Sequence, residues 1–566
     1  MMALSTGSRA GGSRLTITRM GWFYVKWGHR TSGSTPEAII RYFLVDDSGN
    51  STELQFDDKS SEGPLAFDRK RVQISGEQTN SSEGGIKVRS LTLAEPSSRE
   101  VGTLETNAVI GNKKWVTILC RFADSTSVTP NNVGFFQGMM SNTAPGMDHY
   151  WRETSYGNIN LAGSVVVGWY NLPRERSYYV YGNPLRVDFF RIETDAETVA
   201  DADVYFPDFY GINFVFNQPL DGFSWGGVTY VSKDGLNERV FGAMDMSPDG
   251  YGNQSRVAHE MGHGFGLHHS SGPYSTPYDS QWDPMSSLGI CSARDATYGC
   301  VGANTISYHK DLLGWIPLGR KYVAPPGSTA TINIERLGQP SNNNYLMGQI
   351  PIGVLGTQFY TVEARLFAGY DSQIPGQAIV IHQVDPTRVD RTAQVVDADN
   401  NGNPNDEGAK WLPGEVFTDA ANGIQVTINS MNATSFGVTI ANSPPPILFL
   451  DETSGQAAAL DSVSLVTQPF SITTPNNLSS DQRTRVMLFV GNLAPSDNLA
   501  LITAQAEDAQ HRIYPLVVES FGRVPNFDWL TQLNVVLPDA IAHAGNVQVR
   551  ISLQGRVSNQ VVLSIR

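Results

Sequence analysis

Four of the chain's ten histidines fall within the eleven residues His259 to His269, in the run H-E-M-G-H-G-F-G-L-H-H. On a helix, positions i and i+4 lie one turn apart on one face, so His259 and His263 can direct their imidazoles at a single ion. Glu260 lies one residue round, where its carboxylate can take a proton from a water polarised by that ion. Gly266 can adopt the left-handed conformation that ends a helix, letting the chain turn so that His269 returns as a third ligand. Three nitrogens leave one corner of a tetrahedron open, which is the arrangement of catalytic rather than structural zinc. His268 is one step off the ligand direction and reads as a rim residue. The chemistry these types support is hydrolysis by a metal-activated water.

Such a helix needs a sheet to lie on. WVTILCRF, residues 115–122, places Val116, Ile118, Cys120 and Phe122 on one strand face, and Cys120 reads as a buried core thiol. Strands interleaved with helices over 106–317 predict an α+β domain with a twisted mixed sheet and the histidine helix. All-β segments flank it. Residues 1–105 read as a small β-barrel or sandwich, OB-like or pro-like, with strands such as LTITRMGWFYVKW and a hairpin turn at DDSGN. Residues 318–443 read as a β-sandwich. Ser443-Pro444-Pro445-Pro446 is a stiff linker, and six evenly spaced strands over 447–566 predict an immunoglobulin-like sandwich.

Composition narrows the partners. Lys and Arg number 40 against 55 Asp and Glu, a net charge of −15 that disfavours nucleic acid and anionic membrane surfaces. Charged residues are only 17%, with 54 Gly and 31 Pro, which suits turn-rich β structure. No apolar stretch reaches the roughly 18–20 residues that span a bilayer, so no membrane insertion is expected. Three cysteines exclude a disulfide scaffold, although Cys291 and Cys300 could close one small ring.

The extended motif, followed by W-D-P-M-S-S with its methionine sixteen residues after His269, resembles the metzincin clan of zinc endopeptidases. The nearest likeness is to gametolysin-type and immune-inhibitor-A-like secreted peptidases, through KKWVTILCRFAD, PGMDHYWRETSYGNINLAGSVVVGWYNLP, ISYHKDLLGWIP and the segments from FYTVEARLF to WLPGEVFTD. It covers about 105–443. The resemblance implies a multidomain protein with a metzincin-like catalytic domain, zinc on His259, His263 and His269, Glu260 as general base, and Met285 as the methionine turn beneath the metal. It also implies a secreted or cell-surface location, although no signal peptide is visible, and a protein or glycoprotein substrate cut internally. The alternatives are a mucin-directed peptidase and a catalytically weak binding protein built on the same shell. Two departures stand out: His269 takes a place often held by aspartate, and Ser287 stands where some members carry a tyrosine that stabilises the oxyanion. Tyr298, Tyr308 and His268 are the substitutes for that role.

Three further expectations follow. SWGGVTYVS reads as an open edge strand that can pair with an extended peptide. Asp397, Asp399, Asn401 and Asn403 alternate around Gly402 like the first half of a calcium loop, but Gly408 stands where a bidentate Glu belongs. Cys291 and Cys300, nine positions apart beside the methionine turn, are expected to form a disulfide with Cys120 left free. With no cysteine in the first hundred residues, any latency must come from the N-terminal domain covering the cleft, not from a thiolate on the metal.

Overall fold

The structure, a computed structural model, describes residues 16–566 apart from 31–36, 57–63, 80–84, 95–107, 237–238, 287–290, 292, 476–478 and 495–496. Five strands open the chain: β1 (Thr16–Arg30), β2 (Ala38–Asp46), β3 (Ser51–Gln55), β4 (Lys70–Gln78) and β5 (Ile86–Leu93). β1 pairs with β2 and β4, β2 with β3, β3 runs parallel to β5, and β5 returns to β4, so the ring closes. Closure leaves few unpaired backbone edges. Alternate residues of β1, Phe23, Val25 and Trp27, fill the interior with Leu44, Leu54, Val72 and Ile74. A β-barrel therefore stands where the N-terminal sequence predicts one.

β1 is longer than the segment LTITRMGWFYVKW suggests. It continues through Gly28, His29 and Arg30, and from Lys26 on, while still paired with β2 as far as His29, it also joins a second sheet. That sheet is built from β6 (Trp115–Arg121), β7 (Val165–Asn171), β8 (Gly211–Phe216), β9 (Phe223–Val231) and β10 (Arg239–Met246). Its order is β1-β9-β10-β8-β6-β7, with β9 antiparallel to its neighbours and the rest parallel. The sheet thus runs unbroken across the boundary expected near residue 105. It also corrects the reading of SWGGVTYVS as an open edge: β9 has β10 on one side and β1 on the other.

The longer helices are α1 (Val133–Met139), α2 (Met147–Thr154), α3 (Phe189–Ala200) and α4 (Gln254–Phe265). β6 is mostly apolar, with Thr117 the polar exception inside it, because both its faces are covered. Val116, Ile118, Cys120 and Phe122 pack with Ile192 and Ala196 of α3, while Trp115 and Leu119 pack with Met261 and Phe265 of α4.

Residues 321–442 form two facing sheets around Ile334, Val362, Ile381, Val426 and Val438. One sheet also takes in Ser270–Ser271, which pair in parallel with Ala393–Val395 directly after His269. Beyond the prolines, the six expected strands all form, and Ile513–Val524 bends to serve two groups of strands about one core. Among the described residues no helix is long and apolar enough to cross a membrane.

Candidate metal centre

α4 carries the motif as the sequence predicts. Its last turn ends at Gly266 with φ 101°, where the amides of Gly266 and Leu267 donate to the carbonyls of His263 (2.9 Å) and Gly262 (3.0 Å). A left-handed residue suits glycine here, and the paired bonds satisfy two carbonyls that a helix end leaves free. Leu267 then reverses the chain and His269 faces back to the helix. Met285 is fully buried beneath it, so close to Gly262 that a Cβ there would collide with the Met285 sulfur.

Four histidines converge, not three. His29, at the end of β1, puts its Nε2 2.6 Å from Nε2 of His259 and 2.7 Å from Nε2 of His269, and His263 Nε2 is 3.1 Å from that of His259. Each ring's other nitrogen faces an acceptor. His259 Nδ1 lies 2.6 Å from the Pro284 carbonyl, His263 Nδ1 2.7 Å from the Leu267 carbonyl, and His269 Nδ1 2.8 Å from Asp390. His29 Nδ1 lies 2.8 and 3.0 Å from the two Glu260 oxygens. With Nδ1 donating in every ring, the tautomers are set and four Nε2 lone pairs point at one place. Lone pairs so close repel unless a cation lies between them. Zinc holds nitrogens at about 2.0–2.1 Å, so a tetrahedral set would stand about 3.3 Å apart, close to the spacing here. The donor set fits zinc. Burial first, and then the neighbouring rings, hold His29, His259 and His263 well below the ordinary imidazole value, keeping them in the neutral form that ligates.

The fourth corner, expected open, is therefore occupied by the chain's own His29. The sequence reading missed it because it lies 230 residues before His259 and reaches the site through strand pairing. One signal was present: Trp27 and His29 share a face of the strand by alternation. In the structure Trp27 stacks on His263, ring centroids 4.9 Å apart and 2° from parallel.

The sandwich supplies the second unforeseen residue. Asp390 precedes Ala393–Val395, and pairing of that strand with Ser270–Ser271 brings its carboxylate to His269. Burial alone would raise Asp390, but His269 overcomes this and holds it below the usual carboxylate value. The sandwich also grips the loop leading to Met285, since buried Arg365 donates to the Trp282 carbonyl at 2.6 Å and to Asp371 at 2.7 Å.

Tyr278 is the third. Its ring centroid is 5.2 Å from that of His29, 5.6 Å from His269 and 6.1 Å from His259. Its backbone has φ 62°, unusual for a bulky residue, and its buried hydroxyl has no hydrogen-bond partner among the described residues. Burial, with Glu260 nearby, raises it well above the ordinary phenol value, so it remains a donor. The oxyanion candidates drawn from sequence lie elsewhere: Tyr298 reaches the Phe135 carbonyl at 3.4 Å, Tyr308 packs on Phe359, and His268 sits beside Trp27. Ser287 lies outside the described residues.

Glu260 is fully buried, and burial raises its carboxyl well above the usual range. Gly226 of β9 passes directly over it, where a Cβ would meet its carboxylate at 2.8 Å. Cys291 and Cys300 are joined, and Cys120 is free and buried. In the oxygen-rich loop the converging carboxylates are Asp397, Asp399 and Asp406. Asn401 and Asn403 instead turn their amide groups to Asp406, at 2.8 and 3.1 Å, and Gly408 underlies Asp397 and Asp399 with no room for a Cβ. Alternation along the loop missed Asp406 because it arrives from the far side of the turn. Comparisons with protein-family models, curated proteins and solved structures return no match.

Proposed function

We propose that the chain is a zinc-dependent endopeptidase, exported to an oxidising compartment in keeping with the Cys291–Cys300 disulfide. The observation that carries this reading is the convergence of His259, His263 and His269 lone pairs beside the Glu260 carboxylate. His259, His263 and His269 would hold the zinc, which supplies a Lewis acid for the scissile carbonyl and the attacking water. Glu260 accepts the water's proton and returns it to the departing amine. The Tyr278 hydroxyl donates to the oxygen on which negative charge develops. β9 offers its backbone to the substrate in the antiparallel register it now uses with β1, which favours polypeptide over other hydrolysable bonds.

A second reading, a binding protein around a structural zinc, is favoured by one observation: four histidines close the site, as structural zinc sites are closed. The two separate in a chain carrying an engineered protease site within residues 95–107. After cutting there, the peptidase should digest unfolded casein, a heavily glycosylated protein, or both, and a zinc chelator should stop it. Glu260→Gln in the cut chain should keep one zinc by elemental analysis and lose about 10²–10⁴-fold in turnover. Full zinc with no cleavage by the cut parent would favour the binding protein; unchanged turnover in the Gln variant would remove Glu260 as the base.

A further inference from the structure

We infer that the N-terminal barrel is this protein's built-in inhibitor, with β1 lying in the peptide's place on β9 and His29 serving as the fourth metal ligand. The metal part rests on the zinc reading above; the strand part rests on pairing alone.

Three groups of contacts set the arrangement. Along β9, Lys26, Trp27, Gly28, His29 and Arg30 stand opposite Gly227, Gly226, Trp225, Ser224 and Phe223, an uninterrupted antiparallel ladder where an incoming peptide would pair. Approach is close: a Cβ on Gly28 would meet the Trp225 ring at 2.6 Å, and Gly227 leaves room for the Val25 carbonyl. At the metal position, His29 withholds two things at once, since its Nε2 faces the ligand set while its Nδ1 bonds the carboxylate that would serve as base.

Register comes from Lys26. It is completely buried, and its ammonium meets Asp245 of β10 at 2.8 Å and Glu193 of α3, both belonging to the catalytic part. A buried ion pair tolerates no slip, because any shift leaves charges without partners. Side chains alternate along a strand, so Lys26 points to the α3 face while Trp27 and His29 point to α4. The pair thus fixes, three residues on, which side chain reaches the metal. If β1 departs, Asp245 and Glu193 remain buried together without their cation, which resists departure while the chain is whole. Beyond the strand, Arg69 of the barrel donates to the His263 carbonyl at 2.7 Å, and Glu53 pairs with Arg186 at 2.6 Å.

The test uses the full chain with the engineered cleavage site in residues 95–107, loaded with cobalt(II) in place of zinc, before and after cutting and separation of the barrel by gel filtration. Acetohydroxamate probes the fourth position through the visible cobalt bands. In the intact chain the bands should not respond; after cutting, and in intact His29→Ala, they should shift. A site shut 99% of the time slows turnover about 100-fold, so cutting should raise casein cleavage by about that factor or more. The His29→Ala variant should gain hydroxamate binding yet little cleavage, because β1 still covers β9. The cut parent keeps the test decisive if that variant misfolds. Bands that respond equally in intact and cut chains, or chelator-sensitive casein cleavage that is equal and measurable in both, would overturn the inhibitor while leaving the peptidase standing. Bands that open on cutting with no cleavage by either chain would uphold β1 and His29 as the cover of the metal position and overturn the peptidase.

Discussion

The barrel and the sandwich each send one side chain into the histidine cluster, and they do opposite things there. Asp390 of the sandwich binds Nδ1 of His269, at 2.8 Å, and leaves its Nε2 directed at the other rings. His29 of the barrel adds its own Nε2 to that cluster and takes Glu260 as well. The sandwich is also tied in by structure that a working site needs throughout: the strand directly after His269 belongs to its sheet, and Arg365 holds the loop leading to Met285. The barrel is tied in by a ladder on β9 that a substrate would have to replace. On the proposed reading, one region positions ligands and the other occupies their product, the open coordination site. Mutations that touch the two should therefore differ in when they matter, before release of the barrel or after it.

Among the residues that bear on this contrast, Tyr278 gives the largest expected effect. It packs against His29 with its hydroxyl unpartnered, so in the intact chain it has no substrate to serve. Tyr278→Phe should leave cobalt binding and the closed spectrum of the intact chain unchanged. In the cut chain, loss of one donor to the developing oxyanion should lower kcat by about 10²–10³-fold with KM nearly constant. Equal kcat in the cut parent and cut variant would take Tyr278 out of the mechanism and leave it as packing around His29.

Asp390 should act in both states and more mildly. A partner that fixes a ligand's tautomer contributes about 10–100-fold in metal affinity. Asp390→Ala should lose metal to a competing chelator by about that factor in the cut chain, and Asp390→Asn should recover part of it, since an amide oxygen still accepts from His269. The intact chain should lose less, because His29 adds a fourth nitrogen. If the intact chain suffers as much as the cut one, His29 contributes nothing to metal holding, and the contrast between the two regions collapses.

How much of this could be read in the sequence follows from how each residue reaches the site. His259, Glu260, His263 and Gly266 sit on one helix and its end, where spacing alone fixes geometry. The mostly apolar run Trp115–Cys120 likewise announces a buried strand, and the alternation of Val116, Ile118 and Cys120 names the face. His29 and Asp390 arrive through pairing between strands far apart in sequence, β1 with β9 and Ser270–Ser271 with Ala393–Val395, and no local period records who pairs with whom. Tyr278 arrives through a left-handed backbone in a turn, a conformation its residue type does not advertise. The open-edge reading of β9 failed for the same reason: the residues that suit it to extended peptide are there, but its partner comes from this chain.

The smallest expected effect belongs to Cys120, and it bears on whether a thiol shares the work of His29. Cys120 is completely buried on β6, one strand in from the sheet's edge, and burial raises its thiol well above the ordinary value, so the thiolate that would bind metal is disfavoured. Its side chain lies among Ile118, Phe122 and Ile192, on the α3 face. The histidine helix α4 packs on the other face with Trp115 and Leu119, so the sheet itself stands between the sulfur and the metal ligands. Reaching them would require β6 to leave the core. Cys120→Ser should cost about 1–3 kcal/mol, the penalty for a buried hydroxyl without a partner, read as a lower melting temperature. It should leave the ratio of cut to intact casein cleavage unchanged, and mercurials should not raise the intact chain's rate without unfolding it. A gain in cleavage by intact Cys120→Ser, with His29 in place and the fold preserved, would mean that occupation of the metal corner is not what keeps the chain silent.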